Sequence, residues 1–227
     1  MELLVVNPNT TAAVTALLAR RVWAMAPASA IVHAASARFG AAYIADEASF
    51  AVAGHAVLDA WTTHRLDHAA PDAVLVGCFG DPGVFAVREA SSRPVVGLAE
   101  AAMREAAVHG RFAIVTGGAA WKPMLARLAR VLELDGALAG IHIVAPTGAE
   151  LAADPEAAKL LLAAACRQAA IGADCVVLGG AALAGMAEAL APALDVPLID
   201  SVDAGVRALL SAALLSAALP NRLRSGT

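Results

Sequence analysis

The sequence predicts an α/β fold of two pseudo-symmetric lobes, each a mostly parallel sheet flanked by helices, with a shared cleft between them. Two observations carry this expectation. Short β-rich runs alternate with alanine-rich stretches of helical length, the pattern of a parallel sheet covered by helices. The pattern also recurs at a separation of roughly 100 residues, as expected of a duplicated lobe. DAVLVGCFGDPG at 72–83 lines up with DCVVLGGAALAG at 174–185, so Asp72 matches Asp174 and Cys78 falls opposite Gly180. RPVVGLAEA at 93–101 repeats as VPLIDSVDA at 196–204, and LLVVNPNT at 3–10 resembles FAIVTGGA at 112–119.

The strands are expected at 3–7, 29–34, 72–77, 94–97, 111–116, 138–145, 174–179 and 196–200, with helices filling most of the gaps. Segment 35–45 has no clear period and reads as a loop before a helix that begins near Asp46. Asp81 followed by Pro82 reads as the N-cap and first residue of another helix.

Composition narrows the function classes. Sixteen basic residues against 20 acidic ones give a net charge of -4, with neither sign gathered into a run, so a nucleic-acid partner is not expected. Mean hydropathy is +0.69, but charges, glycines and prolines interrupt the apolar stretches, and no membrane span is expected. The opening MELLVVNPNT reads as a strand followed by a helix cap rather than a leader, and a cytoplasmic location is the expectation. Cys78, Cys166 and Cys175 show no metal-ligand spacing. No metal site is expected.

In open α/β sheets, ligands bind beyond the C-terminal ends of the strands. Four tips therefore converge on the cleft: Asn7-Pro8-Asn9-Thr10, Cys78-Phe79-Gly80, Thr116-Gly117-Gly118 and Gly180-Ala181-Ala182. Asn9 or Thr10 can cap the following helix, or that helix start can receive an anion or a carbonyl oxygen; Asn7 adds an amide. Thr116 offers a hydroxyl, and Gly117, Gly118, Ala181 and Ala182 offer backbone donors. Tyr43 and Phe79 can close over an apolar substituent, although Phe79 equally suits the core.

Cys78 sits in a glycine-flanked turn before an expected helix start, a position that favours a thiolate. It equally fits a small buried residue. Cys166 and Cys175 read as buried structural thiols. His33 and His142 fall on strands and read as structural, while His55, His64, His68 and His109 fall on helices or helix ends. With no histidine paired to Cys78, proton transfer is a more natural use of the thiol than hydrolysis. Spaced glycines and a Walker lysine are both missing, so the tips suit a small carboxylate or cyclic imide rather than a nucleotide.

LVVNPNT, GCFGDPG with Cys78, PVVGLAEAA at 94–102, FAIVTGG at 112–118, and VVLGGAALAGMA followed by VPLID together resemble the aspartate/glutamate racemase superfamily, in particular its hydantoin and allantoin racemase branch. The resemblance covers nearly the whole chain. It implies two α/β lobes, a homo-oligomer, no cofactor and two cysteines that face each other across the substrate's acidic carbon. The first of these maps onto Cys78. At the place of the second, this sequence has Gly180.

The superfamily also includes arylmalonate decarboxylase, a one-thiol enzyme with its cysteine at the second position and glycine at the first. The arrangement here is the reverse. The resemblance thus implies a racemase or isomerase acting on a hydantoin or amino acid, a one-thiol decarboxylase or lyase acting on a substituted malonate, or a small-ligand-binding protein. In the decarboxylase reading, Phe79, Gly80, Thr116, Gly117 and the backbone near Ala181 stabilise the enolate. The lobes are expected to divide as 1–97 plus 201–227, and 98–200.

Overall fold

The computed structural model describes residues 1–218, with the side chains at 149 and 152 set aside. The tail 219–227, expected in the first lobe, lies outside the described residues. The first half of the chain forms β1 (Glu2–Asn7), α1 (Ala12–Met25), β2 (Ile31–Ser36), α2 (Glu47–Asp67), β3 (Ala73–Val76), α3 (Val84–Ala90), β4 (Val95–Gly97) and α4 (Leu98–Ala107). The second half follows the same order with β5 (Phe112–Gly117), α5 (Trp121–Val131), β6 (Leu138–Val144), α6 (Gly148–Ala153), α7 (Pro155–Ala170), β7 (Cys175–Leu178), α8 (Met186–Leu190), β8 (Leu198–Asp200) and α9 (Ser201–Ala218).

Two parallel sheets result, ordered β2-β1-β3-β4 and β6-β5-β7-β8. Their registers match residue for residue at the functional end. Val76 pairs with Val6 and Gly97, as Leu178 pairs with Val115 and Asp200. One residue on, the Gly77 amide donates to the Val6 carbonyl at 2.8 Å and the Gly179 amide to the Val115 carbonyl at 2.9 Å. Cys78 and Gly180 therefore occupy equivalent places in the two lobes.

Both faces of the sheets are covered, which explains why the strands read as unbroken apolar runs. Leu3 and Val5 face a central cluster, whereas Leu4 and Val6 pack with Val57 and Trp61 of α2 and Val84 of α3. The central cluster joins both sheets through α4 and α9, bringing Leu98, Met103, Val202, Val206 and Leu209 together with Leu75, Phe112 and Ile114. α4 follows β4 yet packs on β5, β7 and β8; α9 follows β8 yet packs on β3 and β4. By length and composition α9 is apolar enough to cross a membrane, but here Val202, Val206 and Leu209 are fully buried in the central cluster.

The helix start expected at Asp81 and Pro82 is not formed. α3 begins at Val84, after Gly83. Asp81, at φ 59, instead turns its carboxylate back to accept from the Ala99 and Glu100 amides, both at 2.8 Å, and so caps α4. The reason is tertiary: Gly97 precedes α4 and has no capping side chain of its own. A Cβ there would stand 2.2 Å from the Asp81 Cγ. In the second lobe the equivalent residue is Asp200, which caps α9 directly by accepting from the Val202 amide at 2.9 Å. Each lobe thus satisfies the same orphan donors with a carboxylate from a different turn.

Candidate active site

A cavity of about 280 Å³ lies between the lobes at the strand ends. All four expected tips contribute to its wall, through Asn9, Cys78 with Phe79, Thr116 with Gly117, and Gly180 with Ala181 and Ala182. Tyr43 also lines it, delivered by the irregular segment between β2 and α2. Asn7, Thr10, Gly80 and Gly118 do not. The wall also holds residues not anticipated from sequence, among them Thr11, Ile44, Trp121 and Gly148.

Each displaced residue has a physical reason. Asn7 is fully buried and acts behind the wall, its Nδ2 donating to the Asn9 Oδ1 and the Thr15 Oγ1, both at 2.9 Å. The Thr11 amide also donates to the Asn9 Oδ1, at 2.9 Å. A backbone N–H can only donate, so these bonds fix the Asn9 amide with its oxygen engaged and leave Nδ2 as the group that can donate to a ligand. Thr10 is exposed, with its amide bonded to the Ala41 carbonyl at 3.1 Å. Neither Asn9 nor Thr10 is the N-cap of α1, which begins after Thr11. Gly80 is covered by the Trp121 ring, 2.3 Å from where a Cβ would stand, and Gly118 meets the same indole at 3.3 Å.

Aromatic side chains close the cleft from both lobes. The Phe79 ring lies across Gly179, where a Cβ would approach it to 2.2 Å; only glycine admits that contact. Tyr43 reaches the second lobe, where its Oη accepts from the Gly148 amide at 3.0 Å. Burial holds the Tyr43 phenol above its ordinary value.

Cys78 is 8% exposed and lines the cavity from a turn closed by the Asp81 amide donating to the Cys78 carbonyl at 3.1 Å. The helix start expected to favour a thiolate lies six residues further on. Burial, with the nearby Asp81 carboxylate adding to it, raises the thiol well above its ordinary value instead. Asp81 is itself pushed up to about 7 by burial, against the pull of its two amide donors. Cys166, in α7, and Cys175, at the start of β7, are both fully buried away from the cavity.

No aspartate, glutamate, lysine, arginine or histidine lines this cavity among the described residues. Its polar side chains are Asn9, Thr11, Tyr43, Cys78, Thr116 and Trp121. A charged substrate would lose its hydration there without an opposite charge to replace it. A neutral ring bearing carbonyl oxygens would meet hydrogen-bond donors and apolar walls.

The raised thiol has a kinetic consequence whose sign is fixed. At neutral pH the thiol is protonated, so a base role draws on a minor thiolate population that grows as pH rises. The value of kcat/KM for proton abstraction is expected to climb by about tenfold per pH unit through neutrality, with no plateau near the ordinary thiol value of about 8.5. A profile that levels off near neutrality would contradict a base role for Cys78.

The sequence matches the family described as Asp/Glu/Hydantoin racemase over residues 3–209. The chain belongs to that family and is a racemase/isomerase-type enzyme. Within the family it groups with the hydantoin and allantoin racemases. It is 33% identical over 210 residues to a hydantoin racemase of Paenarthrobacter aurescens, covering 91% of this chain and 89% of that one. The allantoin racemase of Pseudomonas fluorescens superposes with a TM-score of 0.90 at 27% identity, covering 100% and 97% of the two chains. Arylmalonate decarboxylase shares the fold, with a TM-score of 0.64 at 18% identity over 94% and 92% of the chains.

Proposed function

We propose that this enzyme moves a proton at the acidic carbon of a neutral, hydantoin-like ring, with Cys78 as its one reacting thiol and no cofactor. The observation that carries the reading is a cavity wall that combines a single thiol, neutral hydrogen-bonding groups and no charged side chain. The C–H proton passes to the Cys78 sulfur, and the electron pair of the broken bond moves onto the adjacent carbonyl oxygen. Asn9 Nδ2, the Thr116 hydroxyl and the Phe79 amide are the donors assigned to that oxygen. Return of the proton from Cys78 restores the original configuration. Delivery to the opposite face inverts it; water is the donor assigned there because Gly179 to Ala182 carry no side-chain proton, and the proton that Cys78 then releases neutralises the hydroxide left behind and restores the thiolate.

The test is a panel followed by NMR in deuterated water. Enantiopure 5-alkylhydantoins and allantoin are expected to exchange their acidic proton, whereas free amino acids are not. Exchange confined to amino acids would overturn the reading.

A second reading is favoured by two specific features, the glycine at the position equivalent to Cys78 and the raised thiol. A protonated Cys78 suits a one-thiol decarboxylase, in which carbon dioxide leaves beside Gly180 and the thiol protonates the enolate. Substituted malonates in the same panel separate the two. Gly180→Cys separates them stereochemically: a Cβ at 180 would meet nothing nearer than Leu183 at 3.4 Å, although φ there is +142°. The variant is expected to lose about 1–3 kcal/mol of stability through backbone strain and to raise the ratio of inversion to exchange. In a decarboxylase the added thiol would instead fill the space of the departing carboxylate and lower turnover.

A further inference from the structure

A second cavity of about 240 Å³ lies on the outer face of the first sheet, between β2 and the C-terminal end of α2. It shares no wall residue with the cleft. Three histidines line it. His64 and His68 stand four residues apart on α2 and its cap, hence on one face of the helix. His33 faces them from β2. The imidazole centroids are 4.6 to 5.0 Å apart, with the His64 and His68 rings stacked at 4°.

One ring nitrogen from each lies within 4.8 Å of the other two. His64 is 7% exposed, and its Nε2 is fully buried with no hydrogen-bond partner. An unpaired buried ring nitrogen costs about 1–3 kcal/mol. It is explained by a ligand that accepts a nitrogen lone pair. His68 Nδ1 lies 3.3 Å from the His64 carbonyl, a bond that requires Nδ1 to carry the proton and leaves Nε2 with its lone pair. Glu2 Oε2 lies 3.8 Å from His33 Nε2, beyond hydrogen-bond distance but close enough to add negative charge beside the cluster.

We infer that His33, His64 and His68 form a binding site for a zinc-class divalent transition-metal ion, tying the edge strand β2 to the end of α2. Imidazole nitrogens suit zinc, nickel and copper rather than magnesium or calcium. Tetrahedral zinc holds its nitrogens about 2.0–2.1 Å away, so the nitrogens stand about 3.3 Å from one another. Closing from 4.8 Å falls to the side chains of exposed His68 and half-buried His33, since His64 is buried. Asp67 lines the same cavity and supplies a carboxylate for the fourth position. Among the described residues, the one arginine or lysine on this wall is Arg38, which is paired with Asp59, with Nε to Oδ2 at 2.8 Å. The inference is independent of the reaction in the cleft.

The test uses untagged, metal-stripped full-length protein titrated calorimetrically with zinc at neutral pH. One zinc per chain is expected, together with a zinc-dependent rise in Tm. His68→Ala removes an exposed ligand without disturbing the core and should weaken binding by at least about a hundredfold. It should also abolish the Tm rise. Cys78→Ala should bind zinc as the wild type does. Failure of zinc to bind stoichiometrically, equal affinity in His68→Ala, or loss of binding in Cys78→Ala alone would each overturn the site.

Discussion

Gly97→Ala is expected to destabilise the protein by about 2–4 kcal/mol, since it combines overpacking in a buried site with loss of a helix cap. The added methyl would fall 2.2 Å from the Asp81 Cγ and 2.4 Å from one of its oxygens. Asp81 is 4% exposed, so to make room its buried carboxylate would have to leave the two amides it accepts from. Expelling its carboxylate would strand the Ala99 and Glu100 amides at the buried start of α4, between the two sheets. The backbone is not the obstacle, because Gly97 has φ -104 and ψ 149, which any residue adopts. The second lobe supplies the remedy. Gly97→Asp combined with Asp81→Gly copies the Asp200 arrangement and relieves the left-handed backbone at 81. That double variant should be more stable in urea unfolding than either single change. Additive losses would show that the two carboxylate placements are not interchangeable.

The cap illustrates what the sequence reveals and what it hides. The strands and the duplication were legible because the inner strands β1, β3, β5 and β7 are buried on both faces and read as apolar runs, while the edge strands β2 and β6 keep enough apolar residues to show beside them. The four tips follow from strand polarity alone. The partner of Asp81 was not legible, because Asp-Pro is a local helix signal while the donors it satisfies lie 18 and 19 residues away. Tertiary demand from Gly97 overrides the local preference. The same applies to Cys78, whose expected thiolate depended on a helix start at Asp81 that the chain does not make.

Wall residues divide along similar lines. Tyr43 stood out as the chain's one tyrosine in a patternless segment. Trp121 opens α5 and gives no sign in sequence that its ring covers Gly80 and Gly118. Gly148 is recognisable only through its bond to Tyr43 across the cleft. The three histidines on β2 and α2 were read separately as structural or helical residues, since nothing local says that they meet. An orphaned His64 nitrogen is visible only once burial and partners are known.

Cys78→Ala is expected to lower turnover by at least about a hundredfold while leaving Tm nearly unchanged, since a positioned acid or base contributes on the order of 10² to 10⁴ in rate. Removing a small side chain that faces a cavity leaves little new void in the core. Neither remaining thiol can substitute. Cys166 belongs to the cluster on the outer face of the second sheet, and Cys175 starts β7 at the end remote from the tips. The other polar groups of the wall can hold the substrate, so binding should survive the loss of chemistry, with kcat falling and KM changing little.

The most direct measurement is therefore the rate at which an enantiopure 5-alkylhydantoin exchanges its C5 proton for deuterium, followed by NMR in deuterated water with wild type and Cys78→Ala at equal concentration. Rapid wash-out with the wild type and a rate at least about a hundredfold lower with Cys78→Ala is the predicted result. Equal wash-out by the two proteins would contradict the assignment of Cys78 as the proton carrier.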